Sequence, residues 1–336
     1  MLAALLKRFG RAREPVTATV DPTCTVARSI AEAAPDASPA LDHTVERQFT
    51  AALLGLGSLR PHATQAAEQH VIERLEQLAA GGRGSDLVPR LPVVLPRLIG
   101  LVRRDDASAR DLADRLSRDP TLVGELVRLA NSPRYRAGRD IADLQEAVIV
   151  LGQRGLIQLV IGASMRPIFS AQQGRFSRIA GGKVWDLTER CAHACALLDA
   201  SAADRFHAYL AGMVANIGLI VALRILDADY REPRPPDTEG FHDALSGASA
   251  ELSARIARQW DFPDAVCHAV DRRALGRADA LDDGLTRALQ TADRIAKWHM
   301  LQPGLTGAAL DGLDESERRL YAELGRAFGR PQPMPA

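Results

Sequence analysis

One stretch of the chain, from Tyr209 to Leu223, is apolar on every side at helical spacing, and Asn216 is its only strongly polar side chain. A helix with this pattern must be enclosed, either by other helices or by lipid, because no face of it suits water. A bilayer span needs roughly 20 strongly apolar residues, and two glycines, several alanines and an amide within about 15 residues fall short of that. We therefore predict a buried core helix, as part of a helix from Asp204 to Leu226, and no stable membrane insertion.

Bulk properties narrow the class of protein further. A chain of 336 residues with 46% hydrophobic content is long enough for one large or several ordinary domains with a proper core. Lys plus Arg and Asp plus Glu are both 42, so no global field draws the chain to nucleic acid. Four cysteines are too sparse for a disulfide framework, which favours a cytoplasmic protein.

The rest of the chain has a helical pattern and lacks convincing strand signals. Runs of alternating β-branched and aromatic residues are missing, and aromatic residues make up only 4%. We therefore predict an all-α fold in four parts. These are a flexible segment or linker at 1–42, an N-terminal helical region at 43–85, a main helical domain at 86–302, and a C-terminal helix and tail at 303–336.

Two polar residues bracket one predicted helix. Asp119 precedes Pro120 in the arrangement of a helix start, where Asp accepts hydrogen bonds from first-turn amides and Pro occupies a position whose N–H has no partner. Asn131 precedes Ser132 and Pro133 in the arrangement of a helix end. Capping explains both residues, and a role in a ligand-binding site remains the alternative.

A series of short motifs then follows in a fixed order, and together they resemble the HDOD domain, a family of bacterial signalling modules related to the HD and HD-GYP phosphohydrolases. The resemblance covers about Leu87 to Leu301, and it implies a compact multi-helix bundle of HD-like type with an N-terminal helical extension. The motifs are Leu91-Pro92 with Leu95-Pro96, Asp119-Pro120 with Leu122, Leu129-Ala130-Asn131-Ser132, Ala147 with Leu151-Gly152, Trp185, Gly212 with Ile217-Gly218, and Trp260 with Pro263.

The resemblance also implies that the metal-binding residues of the hydrolases are mostly replaced. The His-Asp pair corresponds to Ala215-Asn216, and alanine cannot coordinate a metal. Leu187, Ser249 and Arg273-Ala274 stand where relatives often carry histidine, and only Asp293 matches an acidic ligand. One carboxylate cannot hold a di-metal site, so we predict no catalytic residue, no metal ligand and no cofactor.

The remaining candidates for chemistry are cysteine and histidine residues. Cys191 and Cys195 lie one helical turn apart with His193 between them, and two buried thiols explain this spacing better than half a zinc site. His207, His242 and His268 are scattered in the sequence, and we interpret them as surface or capping residues.

Three further residues complete the candidate site. A buried Asn216 needs a hydrogen-bond partner on a neighbouring helix or a water, so it either ties the core together or lines a vestigial pocket. We predict that Trp185 and Trp260 are core anchors. The candidate residues of a vestigial cleft or interaction surface are therefore Asn216, Asp293, Asp119, Asn131, Trp185 and Trp260.

Three hypotheses for function follow. The favoured one is a non-catalytic regulatory module of bacterial signal transduction, which acts by binding other signalling proteins. The first alternative is a residual metal-dependent phosphohydrolase that uses Asp293 with His193, His207 or His268. The second is a sensor that binds a nucleotide in the degenerate cleft without hydrolysing it.

Overall fold

A computed structural model describes residues 39–61, 63–82, 87–92, 95–96, 120–131, 141–170, 174–198, 204–275, 283–302 and 313–329. Within these ranges the chain forms α-helices and no strand, apart from one isolated bridge between Arg60 and Thr238. The all-α prediction is confirmed. The helices are α1 Pro39–Leu53, α2 Ala66–Ala79, α3 Pro120–Ala130, α4 Leu144–Ser170, α5 Arg175–Leu198, α6 Asp204–Val214, α7 Ile217–Asp229, α8 Glu239–Gln259, α9 Asp264–Ala274, α10 Gly284–Leu301 and α11 Glu315–Phe328.

Helix α5 lies at the centre of the bundle and packs against α1, α4, α6, α7, α10 and α11. Its buried positions recur every three or four residues, as the sequence of an enclosed helix requires. Val184, Leu187, Cys191 and Ala194 are all fully buried along this face. They belong to one continuous apolar core that extends from Phe49 on α1 to Leu324 on α11.

Two glycines allow helices to touch at the backbone. A Cβ atom on Gly212 of α6 would lie 2.4 Å from the Cα of Ala192 on α5, and one on Gly218 of α7 would lie 1.9 Å from the carbonyl oxygen of Ser249 on α8. A carbon atom fits at neither position without moving backbone. These two contacts therefore fix how α6 and α7, which carry the apolar stretch, cross their neighbours.

The apolar stretch differs from its predicted form in one respect. The prediction of one helix from Asp204 to Leu226 is wrong, because α6 ends at Val214 and α7 begins at Ile217. Asn216 has φ −111° and ψ 9°, outside helical geometry, and its side chain hydrogen-bonds α10. Periodicity could not reveal this break, since the stretch is apolar on all sides.

The span Arg205–Asp229 is long and apolar enough to cross a membrane by length and composition, but 94% of its most apolar window is buried inside the bundle. The prediction of an enclosed core element is confirmed.

Helices α1 and α2 pack against α8 through polar as well as apolar contacts. Arg47 on α1 donates to both carboxylate oxygens of Asp243, at 2.9 and 2.7 Å. The buried Glu68 on α2 accepts from the backbone N–H of Asp237 at 2.9 Å and from the hydroxyl of Thr238 at 2.8 Å. Since Thr238 is the N-cap of α8, Glu68 ties α2 to the start of that helix. The domain boundaries at 42, 85 and 302 stay predictions.

Helices α4 and α11 each show a local backbone feature. Gly152 interrupts α4, because this residue has φ 67° and ψ 177° inside it. Helix α11 begins with a capping box, in which Asp314 accepts from the backbone N–H of Glu317 at 2.9 Å and Glu317 accepts from that of Asp314 at 3.0 Å.

Candidate functional site

The carboxylate of Asp293 lies at the centre of a buried polar group that we call the Asp293 cluster, formed by Glu46, Asn216, Arg273, Asp293 and Lys297. The side-chain amide of Asn216 donates to Asp293 Oδ1 at 2.7 Å. Arg273 Nη2 and Lys297 Nζ both donate to Oδ2, at 2.5 and 2.7 Å. Both oxygens of the carboxylate are therefore committed to partners within the protein.

Three helix segments bring this cluster together. Asp293 and Lys297 lie one turn apart on α10, which places them on the same face. Arg273 lies in the last turn of α9, and its Nη1 donates to the carbonyl oxygen of Ala215 at 3.1 Å. That carbonyl follows the end of α6, where backbone oxygens lack intrahelical partners. The break before α7 thus supplies both the Asn216 amide and an acceptor for Arg273.

Glu46 is the fifth member of the cluster and lies on α1. Its Oε1 accepts from Lys297 Nζ and lies 3.9 Å from Arg273 Nη2. The Glu46 side chain is 32% exposed, against 3% for Asp293, 2% for Lys297 and 11% for Arg273. Glu46 is therefore the member of the cluster that faces solvent.

The charges within the cluster cancel, since Arg273 and Lys297 are cations while Asp293 and Glu46 are anions. Burial by itself would raise the pKa of Asp293, but Arg273 and Lys297 outweigh it and hold this pKa below the usual range. Burial likewise opposes the charge of Arg273, but Asp293 and Glu46 outweigh it and raise its pKa. The pair of Arg273 and Asp293 is therefore ionised throughout the physiological range.

A small cavity of about 10 Å³ adjoins the cluster, which is room for about one water molecule. Ser246 and Ser249 of α8 line it, and their buried hydroxyl oxygens have no hydrogen-bond partner in the part of the chain that the structure describes. By contrast, Ser253 one turn further along accepts from the backbone N–H of Gly218 at 2.9 Å and donates to the carbonyl of Ser249 at 3.0 Å.

The donor set of the cluster does not fit a metal ion. Metal ions of the hydrolase type need several anionic or imidazole ligands with free lone pairs. Asp293 presents its oxygens to an amide, a guanidinium and an ammonium group, and the last two carry the positive charge that a cation would bring. In the ranges that the structure describes, no three His, Cys, Asp or Glu side chains are grouped in a way that could hold a metal.

The histidines of the phosphohydrolase alternative take part in other contacts. His193 packs edge-on against Phe328, with ring centroids 5.6 Å apart. His207 packs against Phe206 at 6.3 Å, and the exposed His268 lies 3.6 Å from Asp283.

The interpretation of His242 as a surface or capping residue is wrong, because this side chain is fully buried between α8 and α1. Its Nδ1 lies 2.9 Å from the Thr50 hydroxyl and its Nε2 lies 3.1 Å from the Pro236 carbonyl. A neutral ring protonated at Nε2 satisfies both contacts, since it donates to Pro236 and accepts from Thr50. Burial lowers the pKa of His242 to about 4 despite these contacts.

Of the other candidate residues, Asn131, Trp185 and Trp260 make the contacts that the structure describes with residues outside the Asp293 cluster. Asn131 ends α3, where its amide donates to the carbonyls of Val127 and Ile141 and its oxygen accepts from the Ile141 N–H at 2.7 Å. Trp185 and Trp260 are both 6% exposed, so their prediction as core anchors is confirmed. Asp119 lies outside the described residues.

Cys191 and Cys195 are both fully buried on α5, as predicted. Burial raises the pKa of Cys191 well above its ordinary value, and the nearby Asp293 raises it further. The thiol therefore remains protonated.

Sequence reasoning found Asn216 and Asp293 but missed Glu46, Lys297, Ser246 and the pairing role of Arg273. The spacing of Asp293 and Lys297 by four residues was the signal available for one of them. Glu46 is distant in sequence from every other member of the cluster, so no local pattern could connect it.

The described residues thus form a helical bundle in which Arg273 and Lys297 pair with the buried Asp293. The HDOD domain family matches residues 88–274, more than half of the chain, and the protein belongs to this family. The resemblance seen in the sequence is thereby confirmed.

Similar proteins agree with this assignment of the fold. A crystal structure of an HDOD domain protein of unknown function from Geobacter sulfurreducens has a TM-score of 0.54 and 18% identity, over 80% of this chain and 91% of its own. A protein from Shewanella amazonensis SB2B, provisionally named a phosphohydrolase, has a TM-score of 0.50 and 20% identity, over 79% of this chain and 95% of its own.

A curated relative is an uncharacterised protein of Treponema pallidum (strain Nichols). It is 22% identical over 197 residues, which make up 55% of this chain and 37% of that protein. The chain therefore matches just over a third of the length of this relative.

Proposed function

We propose that this protein is a non-catalytic regulatory module that acts in the cytoplasm by binding another signalling protein. The observation that carries the proposal is the occupation of Asp293 by Arg273 and Lys297. Two protein cations neutralise the one acidic residue that matches the hydrolase pattern.

The geometry around Asp293 argues against hydrolysis for a second reason. A hydrolase must activate a water molecule, either with a metal ion or with a general base. Asp293 is a poor base, because Arg273 and Lys297 hold its pKa below the usual range after opposing the effect of burial. Both of its oxygens also already accept hydrogen bonds, from Asn216, Arg273 and Lys297 at 2.5 to 2.7 Å.

A protein that keeps its folded core but lacks catalytic groups can still act through its surface, by binding another molecule. The balanced charge of the chain, with 42 basic and 42 acidic residues, does not favour nucleic acid as the partner. Membership of the HDOD family, whose resemblance implies signalling modules, supports a protein partner instead.

The direct experiment combines metal analysis of the purified full chain with hydrolysis assays on cyclic dinucleotides and phosphomonoesters. We expect no stoichiometric transition metal and no turnover above that of an Asp293→Asn variant, which serves as the matched control. Stoichiometric metal together with turnover that the Asp293→Asn change abolishes would overturn the proposal.

The partner itself is sought by affinity capture from the native cell, followed by reconstitution from purified components. We expect a complex of defined stoichiometry that survives size-exclusion chromatography. Captured proteins that all fail to reassociate with the purified chain would count against a protein-binding role.

A further inference from the structure

The cavity beside the Asp293 cluster is lined by two serine hydroxyls. Ser249 is 4% exposed, and its hydroxyl oxygen has no partner among the described residues. The hydroxyl oxygen of Ser246 is likewise buried without a partner there. A buried polar group without a partner destabilises the folded state, so such groups in a native fold indicate a ligand or a water.

The same cavity is lined by Arg273 and Lys297, which are the two cations of the cluster. Hydroxyl, guanidinium and ammonium groups that converge on one space form the donor set that binds an oxyanion, whose oxygens accept from all three. Asp293 lies behind the cations and pairs with both of them. Asp293 therefore stabilises the positive charges of Arg273 and Lys297 in the core. Their N–H groups that do not contact Asp293 can bind a ligand.

Glu46 currently provides the carboxylate on the solvent side of these cations. It contacts Lys297 directly and lies 3.9 Å from Arg273, yet about a third of its side chain is exposed. Rotation of this one side chain toward solvent would open the cavity and leave the cluster with two cations and one anion. Helix α1 would stay docked, because Arg47 pairs with Asp243, Thr50 contacts His242, and Phe49 is fully buried.

We propose that a phosphate group binds in the space that this cavity and the Glu46 carboxylate occupy together, because the cavity alone has room for about one water molecule. Arg273, Lys297, Ser246 and Ser249 recognise the phosphate, and the Glu46 carboxylate competes with it for the two cations. The site deepens the proposed function, because it gives a non-catalytic module a small-molecule input next to α1. This inference rests on the proposed function, since it requires that the bound phosphate is not hydrolysed.

The test measures binding of inorganic phosphate to the full chain by isothermal titration calorimetry at constant ionic strength. The variants are Glu46→Gln, Glu46→Gln with Ser249→Ala, and Glu315→Gln. The last removes an exposed glutamate on α11, and it controls for the loss of one negative charge. Circular dichroism and thermal unfolding establish that each variant folds, which we expect because Lys297 keeps its contact with Asp293 in all of them.

We expect Glu46→Gln to lower the dissociation constant for phosphate at least tenfold relative to the wild type and to Glu315→Gln. Adding Ser249→Ala should reverse a large part of this gain, because it removes a donor to the ligand. Equal affinities for the wild type and Glu46→Gln would overturn the proposal, as would an affinity of Glu46→Gln that is insensitive to Ser249→Ala.

Adenosine monophosphate in a parallel titration identifies the source of the phosphate group. Binding tighter than that of inorganic phosphate assigns the site to nucleotides, and equal binding assigns it to the phosphate group alone. Release of phosphate from the nucleotide would sink the proposed absence of catalysis. Failure of Glu46→Gln to bind either ligand would sink only the phosphate site, so the two failures are distinguishable.

Discussion

Helix α10 carries two buried carboxylate–cation groups, and they differ in what their carboxylates do. On the side facing α9 and α1, Asp293 is paired with Arg273 and Lys297. On the side facing α11, Arg294 donates to Glu317 Oε1, while Glu317 Oε2 accepts from the backbone of Asp314. The second group closes the start of a helix and uses both oxygens for that purpose.

The two carboxylates also differ in their electrostatics. Burial raises the pKa of Glu317, and the single cation Arg294 does not fully offset it. Burial has the same effect on Asp293, but two cations overcome it and lower the pKa. The comparison shows that a buried ion pair alone does not indicate a binding site. The Asp293 cluster stands out because one of its two carboxylates, Glu46, is partly exposed and because hydroxyls without a partner among the described residues lie beside it at a cavity.

The largest expected effect comes from Asp293→Ala, which leaves Arg273 and Lys297 buried with only the exposed Glu46 as counter-charge. We expect the free energy of unfolding to fall by about 3–5 kcal/mol, the usual cost of an uncompensated buried charge. Denaturation with guanidinium chloride measures it. A loss below about 1 kcal/mol would show that the cluster contributes little to the fold.

Acid should weaken the α11 side of α10 through His299, which is buried and packs against Tyr321 with ring centroids 4.9 Å apart. Burial, followed by the charge of Arg190, lowers its pKa to about 4 from the ordinary 6.5. The unfolded chain therefore binds the proton first, and stability is lost as the pH falls from 6.5 toward 4.

We expect His299 to account for about 2 kcal/mol of lost unfolding free energy between pH 7.5 and 5. His242, whose pKa is also lowered to about 4, adds a similar loss. Thermal unfolding at the two pH values measures the sum, and a His299→Phe variant should show about half the dependence of the wild type. An unchanged dependence in that variant would contradict the assignment.

A smaller loss of stability is expected from the ion pair between Arg294 and Glu317, the second of the two groups compared above. Glu317→Gln keeps an oxygen and an amide at the start of α11 but removes the carboxylate that pairs with Arg294. We expect a loss of about 1–2 kcal/mol in unfolding free energy, typical of a hydrogen bond to a charged group. Phosphate affinity, measured in the Glu46→Gln background, should not change. A change in affinity would mean that the two sides of α10 are coupled.

The smallest effect is expected from Ser249→Ala. Its hydroxyl has no partner among the described residues and lies at a cavity with room for about one water, whose hydrogen bond offsets its burial. Its removal should therefore change the unfolding free energy by less than about 0.5 kcal/mol. Ser253→Ala is the matched control on the same helix. It removes an acceptor from Gly218 and a donor to Ser249, so it should cost about 1 kcal/mol. Equal costs would show that Ser249 is hydrogen-bonded after all.

The fold was predictable from the sequence because the apolar spacing of a helix is visible within a few turns of the chain. Spacing of apolar residues marks much of α5, and the glycine at 152 lies where α4 is interrupted. The break at Asn216 was missed because the stretch around it is apolar on all sides. The Asn216 side chain bonds Asp293, which lies 77 residues away along the chain, so local spacing does not reveal this contact.

The site was predictable only in part. Asn216 and Asp293 were identified from the family pattern, and the expectation that Asn216 bonds a neighbouring helix matches its contact with α10. The contact between Lys297 and Glu46 spans 251 residues and depends on how α1 docks. Long-range ion pairs of this kind follow from tertiary packing, to which residue spacing gives no access.

The position of Arg273 affects which fragments of this protein can be produced in folded form. The family match ends at residue 274, so a fragment cut at its borders retains this guanidinium and discards both carboxylates that neutralise it. Recombinant production of residues 88–274 alone should therefore yield unstable or insoluble material. We therefore expect the unit that folds independently to be longer than the region by which the family is recognised.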